Sequence, residues 1–334
     1  MIIATALRKL AASAAVLALL SSAALACTGI TLTARDGSIV YGRTLEWGSF
    51  DLNSRVMIVP RGQALSSTME DGAPGMSWQA KYGFVGIDAV EKPLAVDGVN
   101  EAGLAVGVFY HPGHAQYQAF DPAARESSLG PLDVANDILT RFANAEEVRA
   151  GMAHIRVVPV NEPTIGFAPP IHLLVTDASG GAVVIEFLDG ETVLHDAPLG
   201  VITNAPTYDW HVTNLRNSVT LSPVALPTKT AEDLEFSPLG AGSGMIGLPG
   251  VFTPPSRFIR AVAFAATARP TGTGQETMYE LFRILDDFNV PQGSAEGSEI
   301  GVENAGGLRS STLWTTAIDT RDLKLNDHTM HNRR

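Results

Sequence analysis

Residues 27–48 read CTGITLTARDGSIVYGRTLEWG. Small or polar residues alternate with apolar ones, the pattern breaks at Asp36-Gly37, and it resumes towards Trp47. Alternation with a period of two places successive side chains on opposite faces of a strand. An Asp-Gly pair supplies the positive φ of a tight turn, so the stretch predicts a β-hairpin. With a two-residue turn at Asp36-Gly37, Cys27 falls opposite Glu46 and Arg43 points to the other face. An unbroken strand cannot aim both Arg43 and Glu46 at one side. If both serve Cys27, an irregularity is expected around Thr44 to Glu46. An arginine near a thiol favours the thiolate, and a carboxylate near an ammonium fixes its orientation.

Cys27 is the only cysteine of the 334 residues, which excludes a disulfide within one chain. The stretch before it reads as a leader: Arg8 and Lys9 precede an apolar run from Leu10 to Leu20. Ala24-Leu25-Ala26 then places small residues at the −3 and −1 positions of a cleavage site. The expectation is a signal peptide over 1–26, a single domain over 27–334, and a periplasmic or secreted location. The apolar run is too short for a comfortable membrane span.

A cysteine at such a point has three readings. It is acylated, making a lipid-anchored surface protein of non-enzymatic function, although Ala24 and Leu25 stand in the wrong order for that signal. It is a small buried bystander. Or cleavage makes it N-terminal, with its own α-amine beside its thiol. An α-amine titrates at about 7.7–8.0 and a thiol at about 8.5, so the amine can take the thiol proton near neutral pH.

Further along, IHLLVT, AVVIEF, ETVLHD and GVITN between 171 and 204 read as a β-meander. Helices are expected over 131–142, 145–153, 255–267 and 276–288, the third opened by Pro254-Pro255. SSTLWTTAIDTRDLKL reads as a second hairpin, and AEDLEFSPLGAGSGMIGLPG as a glycine-rich loop forming a mobile wall of a pocket. The pattern is α+β. A net charge of −12 argues against nucleic-acid and anionic-membrane partners, which need a basic surface. Gly242-x-Gly244-x-x-Gly247 lacks the helix a dinucleotide fingerprint needs. His111 and His114 are separated by Pro-Gly, which suits a turn rather than a metal face, and they are expected at the surface or lining a pocket. Neither a cofactor nor a metal is expected.

The blocks CTGITL, GRTLEW, DGVNEAGLAVGVFY, GFAPPIHLLVTDASG, TNAPTYDWHVTNLR and GLPGVFTPPSRFIR, in that order, resemble the penicillin V acylase and bile salt hydrolase (choloylglycine hydrolase) family. The resemblance spans essentially all of 27–334. It implies an αββα N-terminal-nucleophile (Ntn) fold, two antiparallel sheets between helical layers, and hydrolysis of linear amide C–N bonds. It further implies Cys27 as nucleophile with its α-amine as base and Arg43 against the thiol. Asn204 would donate from its side chain to the oxyanion, the Tyr110 N–H would be a second donor, and Arg257 the second arginine of the site. Glu46 stands where the family has an aspartate, so its contact to the amine must be rebuilt across one more methylene. Tyr110 leans towards the penicillin acylases, where bile salt hydrolases tend to carry asparagine. Implied partners are a small N-acyl amide substrate (penicillin V, a conjugated bile salt or an N-acyl homoserine lactone) and three further copies in a homotetramer.

Overall fold

The computed structural model describes residues 27–48, 51–295 and 310–332; the expected leader lies outside them. Its principal strands are β1 (Thr28–Thr33), β2 (Ile39–Trp47), β3 (Val56–Val59), β4 (Phe84–Ala89), β5 (Lys92–Asn100), β6 (Ala105–Tyr110), β7 (Ile171–Thr176), β8 (Ala182–Leu188), β9 (Glu191–Asp196), β10 (Val201–Ile202), β11 (Ser311–Asp319) and β12 (Lys324–Thr329). Five form one antiparallel sheet in the order β10-β1-β2-β11-β12, and seven form a second in the order β9-β8-β7-β6-β5-β4-β3. The two sheets pack face to face. Their facing residues, among them Tyr41, its partner Ile318, and Phe109, are at most 1% exposed.

Helices cover the outer faces. α1 (Val134–Arg141) and α2 (Ala145–Met152) lie on the seven-stranded sheet, and α4 (Pro254–Thr267) and α5 (Gly274–Asp286) on the five-stranded one. Side-chain amides fasten the α1 layer: Asn136 Oδ1 accepts the Ala95 N–H at 3.0 Å, and Asn100 Nδ2 donates to the Leu139 carbonyl at 2.9 Å. On the other side Gly42 lies directly beneath Leu281 and Leu285 of α5. The result is the four-layer αββα sandwich, in which the central strands of each sheet are buried on both faces and read accordingly as near-continuous apolar runs.

The four expected helices are present, α5 starting earlier because Thr273 caps it by accepting the Glu276 N–H. A further short helix, α3 (Tyr208–Asn214), follows the Ala205-Pro206 peptide, which is cis. No helix among the described residues is long and apolar enough to cross a membrane.

Two expectations are corrected. The meander ends after three strands: β10 leaves β9 and pairs with β1 of the other sheet, Gly29 with Ile202. Two residues are too few to declare a sheet partner, and this crossing carries the following Thr203-Asn204 to the start of β1. The glycine-rich loop, residues 231–250, begins within an exposed hairpin, Lys229–Ala231 with Leu234–Phe236. It contributes no residue to the cavity beside Cys27.

Candidate active site

The β1–β2 hairpin places the site, in a register one residue away from the expected one. Its turn spans three residues: Ala34 and Ser38 close it at 2.9 Å, and Gly37, at φ 84°, follows Arg35 and Asp36. A left-handed third residue is what this turn demands, and glycine meets it without strain. Thr28 therefore pairs with Thr44 and Gly29 with Arg43. Paired residues share a face, and Cys27 lies two before Gly29, so Cys27 and Arg43 point the same way, into the space between the sheets. Glu46 points to the helical side. β2 runs unbroken to Trp47; the irregularity sits in its neighbour, where Leu313 is extra between Thr312, paired with Glu46, and Trp314, paired with Leu45.

Cys27 is 5% exposed. Its main-chain nitrogen donates to Asn204 Oδ1 at 2.8 Å. Arg257, from the first turn of α4, donates from Nη2 to the same oxygen at 2.7 Å, and from Nη1 to the Cys27 carbonyl and to Thr28 Oγ1, the latter at 2.9 Å. Asn204 Nδ2 donates to the Tyr110 carbonyl at 2.8 Å, which leaves one amide hydrogen for another acceptor. One asparagine thus joins the start of β1, the end of β6 and α4. Gly29 keeps the approach open, since a Cβ there would fall 2.6 Å from the Phe109 ring.

Glu46 is not the partner of the Cys27 nitrogen. Its carboxylate accepts from Thr312 Oγ1 at 2.7 Å and Thr44 Oγ1 at 3.2 Å. It acts on the site as a buried charge facing Arg257. Burial pushes its carboxyl up to about 7, against Arg257 and the two hydroxyls, and burial brings Arg257 down to about 10. The folded value for Glu46 lies above the unfolded value of about 4.3. Folding therefore takes up a proton between the two, and stability is lost as pH rises through this window. Relative to wild type, Glu46→Gln is expected to gain stability on the order of 3 kcal/mol between about pH 4.5 and 7.5. Parallel stability curves in urea unfolding across that range would contradict it.

Arg43 is fully buried between the sheets. Its Nη1 donates to the Val96 carbonyl at 3.0 Å and to the Val108 carbonyl, its guanidinium lies 4.3 Å from the Phe109 ring centroid, and Nη2 has no protein partner. Burial opposes its charge, but the Cys27, Tyr41, Asp97 and Glu46 groups raise it on balance. Asp97 was missed by the sequence reading. Fully buried, it accepts from Thr316 Oγ1 at 2.6 Å, and burial pushes it up to about 6 against the pull of Arg43. The signal was there: an acid in the otherwise apolar strand LAVDGV has to answer a buried cation.

Cys27, Arg43, Leu45, Trp47, Val108 and Tyr110 line an apolar cavity of about 100 Å³. The Tyr110 ring stands edge-on to Trp47 at 6.1 Å, and its burial pushes the phenol up to about 12. All six sequence-derived residues are therefore within one neighbourhood, with Glu46 on the far face of the sheet.

His111, expected at the surface or in a pocket, is wholly buried. Its ring and that of His172 bring nitrogens near Glu186, three groups of metal-ligating type. The rings are stacked, with centroids 4.1 Å apart and planes within 3°. A metal lies in the plane of each imidazole that binds it, and two stacked planes share no such point. The group does not fit a metal.

The family model for linear amide C–N hydrolases of the choloylglycine hydrolase family matches residues 27–332. The chain is 28% identical to a bile salt hydrolase/transferase of Clostridium perfringens, over 82% of each chain. Its identity to a penicillin V acylase of Pectobacterium atrosepticum is 26%, over 85% of this chain and 72% of that one. A crystal structure of a conjugated bile acid hydrolase variant from Clostridium perfringens matches with a TM-score of 0.76 at 25% identity, covering 92% of this chain and 90% of that one. The match begins at Cys27 and the fold is shared throughout, so this chain belongs to the choloylglycine hydrolase family and is a linear amide C–N hydrolase.

Proposed function

We propose that the protein is a penicillin V acylase-like amidase, acting in the periplasm or outside the cell once residues 1–26 are removed. The hydrogen bond from the Cys27 nitrogen to Asn204 Oδ1 carries the mechanistic reading: it holds the prospective α-amine beside its own thiol. The amine takes the thiol proton and Sγ attacks the amide carbon. The carbonyl oxygen becomes an oxyanion that the second Asn204 Nδ2 hydrogen and the Tyr110 N–H stabilise. The ammonium then gives its proton to the leaving nitrogen as the C–N bond breaks, leaving a thioester. Water, deprotonated by the same amine, cleaves it to the free acid and restores the thiol. Arg43 Nη2 favours the thiolate, and Arg257 fixes Asn204 and the Cys27 carbonyl. Glu46 holds the Arg257 charge from the far face.

Cavity size favours a slim acyl group. Pockets for drug-sized ligands run to about 300–1,000 Å³, and the space beside Cys27 is about 100 Å³. A phenoxyacetyl or short alkyl chain suits it better than four fused rings, in keeping with the aromatic Tyr110. Primary-amine release by protein starting at Cys27, with Cys27→Ser as control, is expected from penicillin V and not from glycocholate. Release from glycocholate alone would make it a bile salt hydrolase. Silence on both would turn the reading to N-acyl homoserine lactones. Intact mass checks the start: a diacylglycerol adduct, or a start other than Cys27, rules out the amine as base.

A further inference from the structure

The segment Thr203–Tyr208, which joins β10 to α3 and carries Asn204, is held by buried imidazoles. His172 Nε2 meets the Thr203 carbonyl at 2.9 Å, His211 Nε2 the Asn204 carbonyl at 2.8 Å, and His111 Nε2 the Pro206 carbonyl at 3.3 Å. Carbonyls only accept, so each ring donates from Nε2. At the centre sits Glu186. Its carboxylate accepts the Tyr208 N–H at 2.9 Å and meets His172 Nδ1 at 3.3 Å and His195 Nε2 at 3.1 Å. His111 Nε2 lies 3.7 Å away. Glu186, His111, His172 and His211 are at most 2% exposed.

We propose that Glu186 is a positioning residue of the hydrolytic site, locking this segment through His172 and the Tyr208 N–H so that Asn204 faces Cys27. The inference rests on the amidase reading of the site. His172 faces an acceptor at each ring nitrogen and satisfies both only by donating from both, an arrangement that needs the carboxylate's charge. The outer rings fit the same scheme: His111 and His211 have no partner at Nδ1, and burial holds both below the usual imidazole value, His211 at about 4. They remain neutral Nε2 donors. His211 is further fixed by stacking on Phe258 of α4, ring centroids 4.7 Å apart. A glutamine at 186 keeps the shape and loses the charge: at the position of Oε1 it offers either an oxygen to the Tyr208 N–H or an N–H to a neutral His172 Nδ1, not both, so one hold on the segment is lost. The segment then shifts and takes Asn204 with it. None of these residues lines the cavity, so acyl binding is spared.

The test is Glu186→Gln in protein starting at Cys27, read by iodoacetamide alkylation of Cys27 at pH 7 and by penicillin V kinetics. Alkylation is expected to slow about tenfold, because the amine no longer sits to take the thiol proton. The kcat is expected to fall roughly 10–100-fold with KM within about twofold, the signature of misplacement without lost binding. A folded Glu186→Gln protein that alkylates and turns over at wild-type rates overturns the proposal. Should that variant not fold, His172→Phe and His172→Gln decide: phenylalanine keeps the stack on His111 and loses the donors, glutamine keeps a donor. Glutamine is expected to retain about tenfold more alkylation rate than phenylalanine; equal rates overturn the proposal. Wild-type protein inactive on penicillin V, with alkylation still dependent on Glu186, would sink the substrate reading and uphold the positioning role.

Discussion

Replacing Cys27 by alanine is expected to lower kcat/KM at least ~10⁴-fold, the scale seen when a covalent nucleophile is removed from a site that keeps its other groups. Only Sγ forms the bond to the substrate carbon, and no other described cysteine exists to replace it. The fold should hardly notice. Cys27 borders the cavity, its nitrogen and carbonyl are held by Asn204 and Arg257, and alanine keeps both main-chain groups. Stability within about 1 kcal/mol of wild type is expected in urea unfolding. Residual hydrolysis above about a hundredth of wild type would mean that water is activated directly and that the covalent route is wrong.

Arg257→Leu is expected to damage structure and chemistry together. The guanidinium is the shared donor of the Cys27 carbonyl, Thr28 Oγ1, Asn204 Oδ1 and, through Nε at 2.8 Å, the Phe252 carbonyl. Removing it strands buried acceptors and leaves Glu46 without its facing charge. Breaking one side of a buried pair costs about 3–5 kcal/mol, which sets a fall in Tm on the order of 10 °C for a chain this large. Activity should drop at least ~10³-fold, since Asn204 loses the donor that fixes its oxygen. Lysine cannot substitute, having no planar fork to reach four acceptors. Adding Glu46→Gln to Arg257→Leu should restore part of the Tm and none of the rate. A double variant as unstable as the sum of the singles would show that the two charges do not compensate one another.

The strands and their turn were legible in residues 27–48; which face each side chain takes was not. β2 is buried on both faces from Ile39 to Glu46, so no polar side betrays its register, and a turn longer by one residue inverts every assignment. The inversion matters chemically. It brings Arg43 to the thiol and sends Glu46 to the helical side, a division the expected register had reversed. Arg257 looks like a solvated charge on a helix, and only the surrounding PPSRF block pointed to the site. α3 went unseen because seven residues with Trp210 and Val212 exposed give no apolar stripe. His111, His172, Glu186, His195 and His211 are scattered over a hundred residues, and their meeting follows from strand pairing that no local pattern encodes. The polar His172 and Glu186 inside apolar strands were the one visible hint.

The crossing of β10 from one sheet to the other has a consequence in time. Asn204 lies 177 residues from the Cys27 it holds, and Arg257 lies 230 residues away. Contacts this distant along the chain form late, after the loops between them have closed. The nucleophile is made well before its partners. A partly synthesised or partly folded chain carries the thiol without the apparatus that arms it. Catalytic competence thus arrives with the closing of the two sheets, and the finished fold serves as its own licence to act.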